Sequence, residues 1–376
     1  MEDNVLVIVF PSTFSLNKIK LLITNIKKIL KIENRKYHKI RQEGDIIIVE
    51  TDDPVFTSSA INTLFGIKKV AIAKQVTNDF DTIVNGISKV GVDLFLESER
   101  FLIRVEGQAK GFMTKDVEVA ATSSLVEKTA KKGIKPGTDE KYDKQLYVYL
   151  TKSHAYICIY LDEGLEGIPN NSQKKKIICC IFDELSAISC IETIKHGFEV
   201  KIIICFMKES ELLHIAKMLN QIIHRMVKPK IDLEFYKVPI DKKPASLLLT
   251  EITIELLSMI AISNDIKRIS LSLSPLIYPI DFLENMVKLV YNKNLIPYLP
   301  LSGLDNNVIT TAKEIGLEKY ITKIKKYGNA KFYDSKKPLK EIKKIVEKTV
   351  RNRKHISIKV AQNNVHDILD KIMLKH

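Results

Sequence analysis

Residues Ile177 to Phe206 read IICCIFDELSAISCIETIKHGFEVKIIICF. The stretch opens with a continuous apolar run of the length and composition typical of a strand buried on both faces. Apolar residues then recur at helical spacing between Ser186 and His196, and Gly197 follows, where a helix C-terminus favours a residue that tolerates positive φ. A second apolar run covers Val200 to Phe206. The stretch therefore predicts one βαβ unit of a parallel sheet.

The loop between this predicted strand and helix lacks the usual chemistry of a phosphate site. In a βαβ unit the loop faces a helix N-terminus, where backbone N–H groups can bind phosphate. Such loops usually need glycine, because only a residue without Cβ lets the backbone close around phosphate oxygens. This loop has no glycine and carries the carboxylates of Asp183 and Glu184. We expect Asp183 to cap the helix; the alternatives are a general acid and base, or a pair of magnesium ligands.

The overall charge favours a polyanionic partner. The chain has 376 residues, with 59 Lys and Arg against 45 Asp and Glu, which gives a formal net charge of +14. Nucleic acid is the first candidate and an anionic membrane the second, whereas a solvated, lysine-rich surface is the alternative interpretation. No stretch approaches the roughly 18 continuous apolar residues of a membrane span. We therefore expect a cytoplasmic protein without a membrane partner.

The five cysteines lie within apolar segments and form no CxxC pair. This placement predicts buried, reduced thiols and argues against zinc ligands or disulfides. The residues are Cys158, Cys179, Cys180, Cys190 and Cys205.

The order of the apolar patterns predicts an α/β and α+β multidomain chain. Short strands and helices alternate at the start, whereas longer buried strands alternate with helices after the glycine- and asparagine-containing tract near residue 164, which favours a doubly wound parallel sheet. The predicted division is residues 1–92 for an N-terminal α+β domain, 93–163 for a second α/β domain, 164–176 for a linker, 177–354 for the doubly wound domain and 355–376 for a C-terminal tail.

A basic amphipathic segment precedes that tail. Residues 336–354 contain nine basic and two acidic side chains. Apolar residues form one stripe, and cations lie on the opposite face, so the segment predicts either a packed helix with a solvated lysine face or a face that follows a phosphate backbone. The cations of this secondary basic face are Lys340, Lys343, Lys344, Arg351 and Lys354.

With these parts in order, the chain resembles the tRNA 4-thiouridine synthetase (tRNA sulfurtransferase) family. Members join an N-terminal ferredoxin-like domain, a THUMP RNA-binding domain and a Rossmann-like PP-loop ATP-pyrophosphatase domain, and the resemblance implies that fold here. It rests on four separate segments or patterns. They are Asn62–Val70 (NTLFGIKKV), the THUMP-like set Phe101, Arg104, Lys110, Phe112 and Glu118, Gly164–Gln173 (GLEGIPNNSQ), and Leu299–Tyr320 (LPLSGLDNNVITTAKEIGLEKY).

The catalytic motifs of the family do not match. Its PP-loop SGGxDS falls on Ile181–Ser186, IFDELS, so that both glycines are absent, Leu185 stands at the aspartate position and only Ser186 is retained. A second nucleotide motif falls on residues 272–282 without its glutamate and glutamines. The family's catalytic cysteine belongs near residues 327–332, yet the chain has no cysteine after Cys205. Asp183, Glu184, Leu185 and Ser186 therefore form a degenerate nucleotide loop.

The resemblance implies a protein that binds the tRNA acceptor end, or another structured RNA, through its THUMP-like region. The first hypothesis is an RNA-binding pseudoenzyme that requires no cofactor. The second is an active tRNA sulfurtransferase that uses ATP and magnesium at a non-standard or partner-completed site, and the third is a protein-interaction scaffold. A homodimer or a modification-enzyme partner stays open. The expected RNA-binding residues are Arg104, Lys110, Lys115, Lys128, Lys131, Lys132 and Lys135.

Overall fold

The computed structural model describes residues 5–240, 246–318, 320, 339–361 and 363–373. The chain divides into two compact units, Met1–Glu166 and Gly167–His376. Each unit contains its own mixed sheet. Among the described residues, no helix is both long and apolar enough to cross a membrane.

The first unit is an eight-stranded sheet with helices on one face. Its strand order is β2-β3-β1-β4-β8-β7-β5-β6. The predicted first and second domains share this sheet, since β4 pairs with β8 over most of its length, and their division stays a prediction. The elements are β1 Val5–Pro11, α1 Ile19–Ile32, β2 Lys39–Glu43, β3 Ile46–Glu50, α2 Pro54–Ile61, β4 Ile67–Thr77, α3 Phe80–Leu94, β5 Arg100–Gly107, α4 Thr114–Lys128, β6 Lys135–Pro136, β7 Lys144–Leu150 and β8 His154–Glu166.

Strand β5 shows why α3 and α4 cover one face of this sheet. Its buried residues Phe101, Ile103 and Val105 alternate with more exposed ones, so that one side of the strand is apolar. They join a core cluster with Ile87 of α3 and Leu125 of α4. The even-numbered residues of β5 therefore face the opposite side of the sheet.

The sheet is curved, and this opposite face is its concave side. Glu43 on β2 accepts hydrogen bonds from Tyr156 Oη on β8 at 2.9 Å and from His154 Nδ1 at 3.1 Å, although three strands separate β2 from β8. A second apolar cluster fills the concave side, with Ile8 and Ile48 among its members. Both faces of this sheet therefore carry buried apolar clusters.

The second unit is a six-stranded sheet in the order β13-β12-β9-β10-β11-β14. Strands β9 to β13 pair in parallel, and β14 pairs antiparallel with β11. The predicted βαβ unit is confirmed as β9, α5 and β10, and Gly197 has a φ of +81°. The elements are β9 Lys176–Ile181, α5 Glu184–Lys195, β10 Glu199–Phe206, α6 Leu212–Ile223, β11 Lys230–Lys237, α7 Ser246–Ser263, β12 Arg268–Ser270, α8 Ile280–Tyr291, β13 Ile296–Tyr298, α9 Asn306–Glu314, α10 Leu339–Arg351, β14 Arg353–Lys359 and α11 Val365–Met373.

Two segments differ from the sequence expectation. Strand β8 runs through the first three residues of the predicted linker, and a Cβ at Gly164 would lie 2.3 Å from the Ile67 carbonyl oxygen of β4, which explains the glycine there. The predicted tail contains most of β14 and all of α11. Ile356 and Ile358 are buried at alternate positions, as in a strand with one face in the core.

Candidate nucleotide loop and nucleic-acid interface

The degenerate nucleotide loop lies at the topological switch point of the second sheet. The chain leaves β9 toward β10 on one side and later returns to β12 on the other, so the loops after β9 and β12 meet the same carboxyl edge. Ligands of doubly wound sheets bind in the crevice at such a point. The loop therefore lies at the edge of the sheet where ligands of doubly wound folds usually bind.

The backbone of this loop is hydrogen-bonded to its own side chains. Ser186 Oγ accepts from the N–H groups of Phe182 and Asp183, each at 2.9 Å. Asp183 Oδ1 accepts from the Ser186 N–H at 2.8 Å, and the Ala187 N–H donates to the Asp183 carbonyl at 3.1 Å. The predicted capping role of Asp183 is confirmed. Four N–H groups around the start of α5 thus already have acceptors within the protein.

The two carboxylates of the loop have different surroundings. Burial raises the pKa of Asp183 to about 6, although hydrogen bonds from Ser186 act in the opposite direction. Glu184 Oε1 lies 3.0 Å from His214 Nε2 on α6. Leu185, at the position of the family's aspartate, is buried. Among the described residues, no group of three or more His, Cys, Asp or Glu side chains could hold a metal ion.

The second nucleotide motif of the family falls on the loop after β12, which carries apolar side chains. Ile277 and Tyr278 are buried, and the Tyr278 ring stacks on Phe282 with centroids 5.8 Å apart. Burial raises the pKa of Tyr278, and the nearby Asp183 carboxylate adds to this shift. Phenol and aliphatic groups therefore lie close to the loop after β9. The segment 327–332, where the family's cysteine would stand, is outside the described residues.

The predicted RNA-binding lysines fall into two groups at the ends of α4. Lys110 and Lys115 lie before and at its start, whereas the other group lies at or beyond its end. A 15-residue helix is about 20 Å long, so one phosphate cannot contact both groups. The second group consists of Lys128, Lys131, Lys132 and Lys135.

Several of these cations have partners in the protein. Lys132 Nζ donates to the Val92 carbonyl at 2.7 Å, and Lys115 Nζ lies 2.7 Å from Glu118 Oε2. The other Glu118 oxygen accepts from the Val105 N–H at 2.9 Å and so joins α4 to β5. These two lysines therefore support the fold of the unit.

Arg104 is separated from the α4 lysines by the sheet. It is an even-numbered residue of β5, so its side chain leaves the face opposite α4, and it pairs with Asp139. Among the seven expected RNA-binding residues, four are exposed and have no ion-pair partner in the described part of the chain: Lys110, Lys128, Lys131 and Lys135.

The charge excess lies almost wholly in the second unit. Residues 1–166 carry 24 Lys and Arg against 23 Asp and Glu, whereas residues 167–376 carry 35 against 22. The described segment 339–361 alone has eight basic residues and two acidic ones. The seven expected RNA-binding residues all belong to the first unit, and their role stays a prediction.

Most of the predicted secondary basic face lies on helix α10. Lys340, Lys343, Lys344 and Arg351 are exposed, while Ile342 and Val346 on the other side are buried. Lys354 does not belong to this helix, because α10 ends at Arg351 and Lys354 is the second residue of β14. Its Nζ donates to the Ile372 carbonyl at 2.8 Å.

No family model matches the sequence. Two curated relatives are each named probable tRNA sulfurtransferase: one from Methanosarcina acetivorans is 26% identical over 161 residues, and one from Methanosarcina mazei is 24% identical over 161 residues. The matched stretch is 42% of this chain and spans 39% and 40% of the two relatives.

Solved structures extend the likeness to both units. A crystal structure described as a 4-thiouridine synthetase–RNA complex with bound ATP superposes with a TM-score of 0.66 over 94% of this chain and 99% of that one, at 14% identity. PH1313 from Pyrococcus horikoshii gives 0.63 over 83% of this chain and 100% of that one, at 18% identity. The predicted fold is confirmed by these superpositions. Together with the curated relatives, they confirm that this chain resembles the tRNA 4-thiouridine synthetase family.

Proposed function

We propose that this chain binds structured RNA, tRNA first, and that its second unit does not thiolate the RNA it holds. The observation that carries the proposal is the contrast within the second unit. The segment 339–361 has eight basic residues against two acidic ones, whereas the loop at the switch point is closed by its own hydrogen bonds.

The basic segment supports RNA binding through the phosphate backbone. Exposed cations along one face of α10 can neutralise consecutive phosphates, and the release of counterions then favours association. Such contacts read shape more than sequence, which suits a folded RNA. Curated relatives named probable tRNA sulfurtransferase make tRNA the first candidate.

The closed loop argues against ATP chemistry in this chain. A triphosphate would need the N–H groups of Phe182, Asp183 and Ser186, and each already has an acceptor at 2.8–2.9 Å. It would also meet the carboxylates of Asp183 and Glu184, whose like charge opposes phosphate. Transfer of sulfur further needs a thiolate, and the five cysteines of the chain are buried.

The test of RNA binding is a filter-binding titration of the full chain with whole tRNA at several salt concentrations. We expect submicromolar to micromolar affinity and a linear fall of log K with log salt, because backbone contacts release counterions. A duplex DNA of equal length is the control for non-specific attraction. An affinity that does not change with salt would contradict the proposal.

ATP is tested by thermal unfolding of the same protein with magnesium and ATP. A ligand at 100 times its Kd raises the free energy of unfolding by about 2.7 kcal/mol. We expect no change in Tm with millimolar ATP, and a rise with tRNA, which serves as the positive control. A clear rise with ATP would favour the alternative, an active tRNA sulfurtransferase.

A further inference from the structure

Strands β11 and β14 present an open polar face at the edge of the second sheet. They pair antiparallel, and Lys230 lies opposite Lys359. Side chains alternate between the two faces of a strand, so every second residue of β14 from Arg353 to Lys359 belongs to one face. Ile356 and Ile358 belong to the other face and are buried. The polar face, the β14 strip, consists of Lys230, Asp232, Arg353, His355, Ser357 and Lys359.

The β14 strip lies on the same side of the sheet as the basic helix α10. Helix α11 contacts β14 and α6, whereas α10 contacts β11 and α7. Lys354, on the face away from the strip, donates to the Ile372 carbonyl of α11, so α11 covers that other face. The crossovers through α6 and α7 run in opposite directions across the sheet, and right-handed crossovers then place the two helices on opposite faces. Helix α10 and the strip therefore share the α7 side.

Two lysines face each other at the end of the strip. The Val360 N–H donates to the Pro229 carbonyl at 3.0 Å, so Lys230 and Lys359 form the neighbouring type of pair, in which side chains are closest. Both lysines are exposed, and neither has an ion-pair partner among the described residues. Like charges directly opposite each other destabilise a sheet. An anion between the two ammonium groups would remove this repulsion.

The carboxylates of the same face already have other partners. Asp232 Oδ1 accepts from Ser357 Oγ at 2.6 Å and lies 3.8 Å from His355 Nε2. Glu234 is buried beside the strip, and its Oε1 lies 2.9 Å from Lys201 Nζ on β10. The two facing lysines therefore keep their charge for a ligand.

Helix α10 and the strip form two basic rows that are joined by Asn352 alone. The helix has 13 residues and β14 has 7, so each row is roughly 20 Å long. Because α10 contacts β11, it folds back over the sheet from this turn, and Lys340 lies at the end of its row that is remote from the turn, as Lys230 and Lys359 do in theirs. Packed layers of secondary structure lie roughly 10 Å apart, so one phosphate cannot contact both rows.

We propose that the RNA lies on this side of the second unit as a double-stranded stem. The backbone of one strand follows α10, and a phosphate of the other strand lies between Lys230 and Lys359. Double-stranded RNA is bound mainly through phosphates and 2′-hydroxyl groups on both sides of its minor groove, which requires two rows of contacts, whereas an unpaired strand needs only one. The inference rests on the proposed function, because it takes RNA binding along α10 as given.

The test measures the salt dependence of filter binding for the full chain and two RNAs. One RNA is a hairpin with a fully paired stem, and the other is an unpaired RNA of equal length. The double variant Lys230→Gln and Lys359→Gln should reduce the slope of log K against log salt by about 1 for the hairpin, since each lost phosphate contact removes about 0.7–0.9. It should leave the slope for the unpaired RNA unchanged.

The control is the double variant Lys217→Gln and Lys288→Gln. It removes the same charge from the second unit, at an exposed position of α6 on the other face and at a lysine of α8 that pairs with Glu284. Both slopes should stay as they are in the unchanged protein.

Charge reversal at one lysine distinguishes RNA binding from a structural role. Lys359→Glu places opposite charges across the two strands, so we expect Tm to rise by roughly 1–3 °C. The hairpin should nevertheless bind about tenfold more weakly, because the new carboxylate repels phosphate. A protein that becomes more stable and binds the stem less well cannot have lost binding through unfolding.

The outcomes separate the two proposals. If neither RNA binds with salt dependence, the proposed function is contradicted together with this inference. If the double variant at Lys230 and Lys359 changes the slopes for both RNAs equally, or changes neither, RNA binding stands and the stem does not use this pair.

Discussion

At the scale of single residues, Ser186 determines the state of the switch-point loop. Its hydroxyl accepts from two N–H groups and donates to the Asp183 carbonyl at 2.8 Å, so one side chain fixes both the end of β9 and the start of α5. Ser186 is fully buried, and water cannot easily replace it. The position retained from the family's PP-loop therefore has a structural role here.

We predict that Ser186→Ala lowers the free energy of unfolding by about 2–3 kcal/mol, because two N–H groups lose their acceptor in a poorly hydrated loop. Urea unfolding at pH 7 measures the change. Ser263→Ala is the matched control. Its hydroxyl donates to the Ile260 carbonyl and accepts from the exposed Asn264 side-chain amide near the end of α7, so it satisfies no buried N–H group, and its effect should stay within about 0.5 kcal/mol. Equal losses in the two variants would mean that the loop does not depend on Ser186.

Glu192 on α5 is a second residue with a defined energetic role. It is buried, and its Oε1 has no hydrogen-bond partner among the described residues. Burial raises its pKa, while Thr311 and Lys195 act in the opposite direction and Asp305 adds to the rise. A carboxyl group whose pKa is raised in the folded state stabilises the protein below its unfolded pKa and loses that contribution as pH rises through the folded value.

We therefore predict that Glu192→Gln stabilises the second unit by about 1 kcal/mol at pH 8 and changes little at pH 4.5, because the neutral amide avoids the cost of a buried charge. Urea unfolding curves at the two pH values measure the difference. Glu318→Gln, at an exposed position, is the control for loss of one negative charge. A loss of stability at pH 8 would show that the Glu192 carboxylate has a favourable partner.

At the scale of elements, side-chain hydrogen bonds connect β2 with β8, although three strands lie between them in the sheet. Arg41, Thr151, His154 and Tyr156 all direct hydrogen bonds to the Glu43 carboxylate. Burial opposes ionisation, yet these bonds outweigh it and lower the pKa of Glu43 to about 2. One carboxylate thus joins β2 to β8.

We predict that Glu43→Gln destabilises the first unit by about 3 kcal/mol at pH 7. Arg41 would keep only its longer ion-pair contact with Glu50, at 3.4 Å, and an amide cannot accept the same four bonds. A lowered pKa means that this contribution is present above pH 4.5 and declines as pH falls toward 2. The variant and the original protein should therefore converge in acid. Glu97→Gln, on an exposed loop, is the control, and equal pH profiles for the two variants would contradict the prediction.

Local patterns predicted the elements well but not the contacts between distant ones. The apolar run of β9, the helical spacing of α5 and Gly197 are short-range signals, and all three were interpreted correctly. The contact of Glu43 with Tyr156 joins residues 113 positions apart, so no local pattern contains it. Strand β14 was missed although Ile356 and Ile358 alternate, because the basic residues before it resembled a continuing helix.

At the scale of the whole molecule, the composition gives the net charge of +14, but only the division into two units shows which of them carries the excess of basic residues. Formal charges sum to about +1 in residues 1–166 and +13 in residues 167–376. The resemblance to a THUMP domain implies RNA-binding lysines at both ends of α4, but Lys115 and Lys132 have partners within the protein. Only the fold distinguishes a cation that supports a helix from one that remains available to a ligand.

This asymmetry predicts which surface controls the salt dependence of RNA binding. Two sets of four cations, each replaced by Gln in the full chain, are compared by filter binding with tRNA. The α10 set should reduce the slope of log K against log salt by up to about 3, since each lost phosphate contact removes about 0.7–0.9. The α4 set should reduce it by less than about 1. The α10 set is Lys340, Lys343, Lys344 and Arg351, and the α4 set is Lys110, Lys128, Lys131 and Lys135.

The two sets remove equal charge from exposed positions, so each is the control for the other. A third variant, Lys288→Gln on α8, removes a cation that already pairs with Glu284 at 2.5 Å and should leave the slope unchanged. If the α4 set produces the larger change in the slope, the RNA binds mainly to the first unit, as the family resemblance alone implies. Equal changes in both sets would mean that one RNA contacts both surfaces at once, and the charge excess of the second unit would then not determine where it binds.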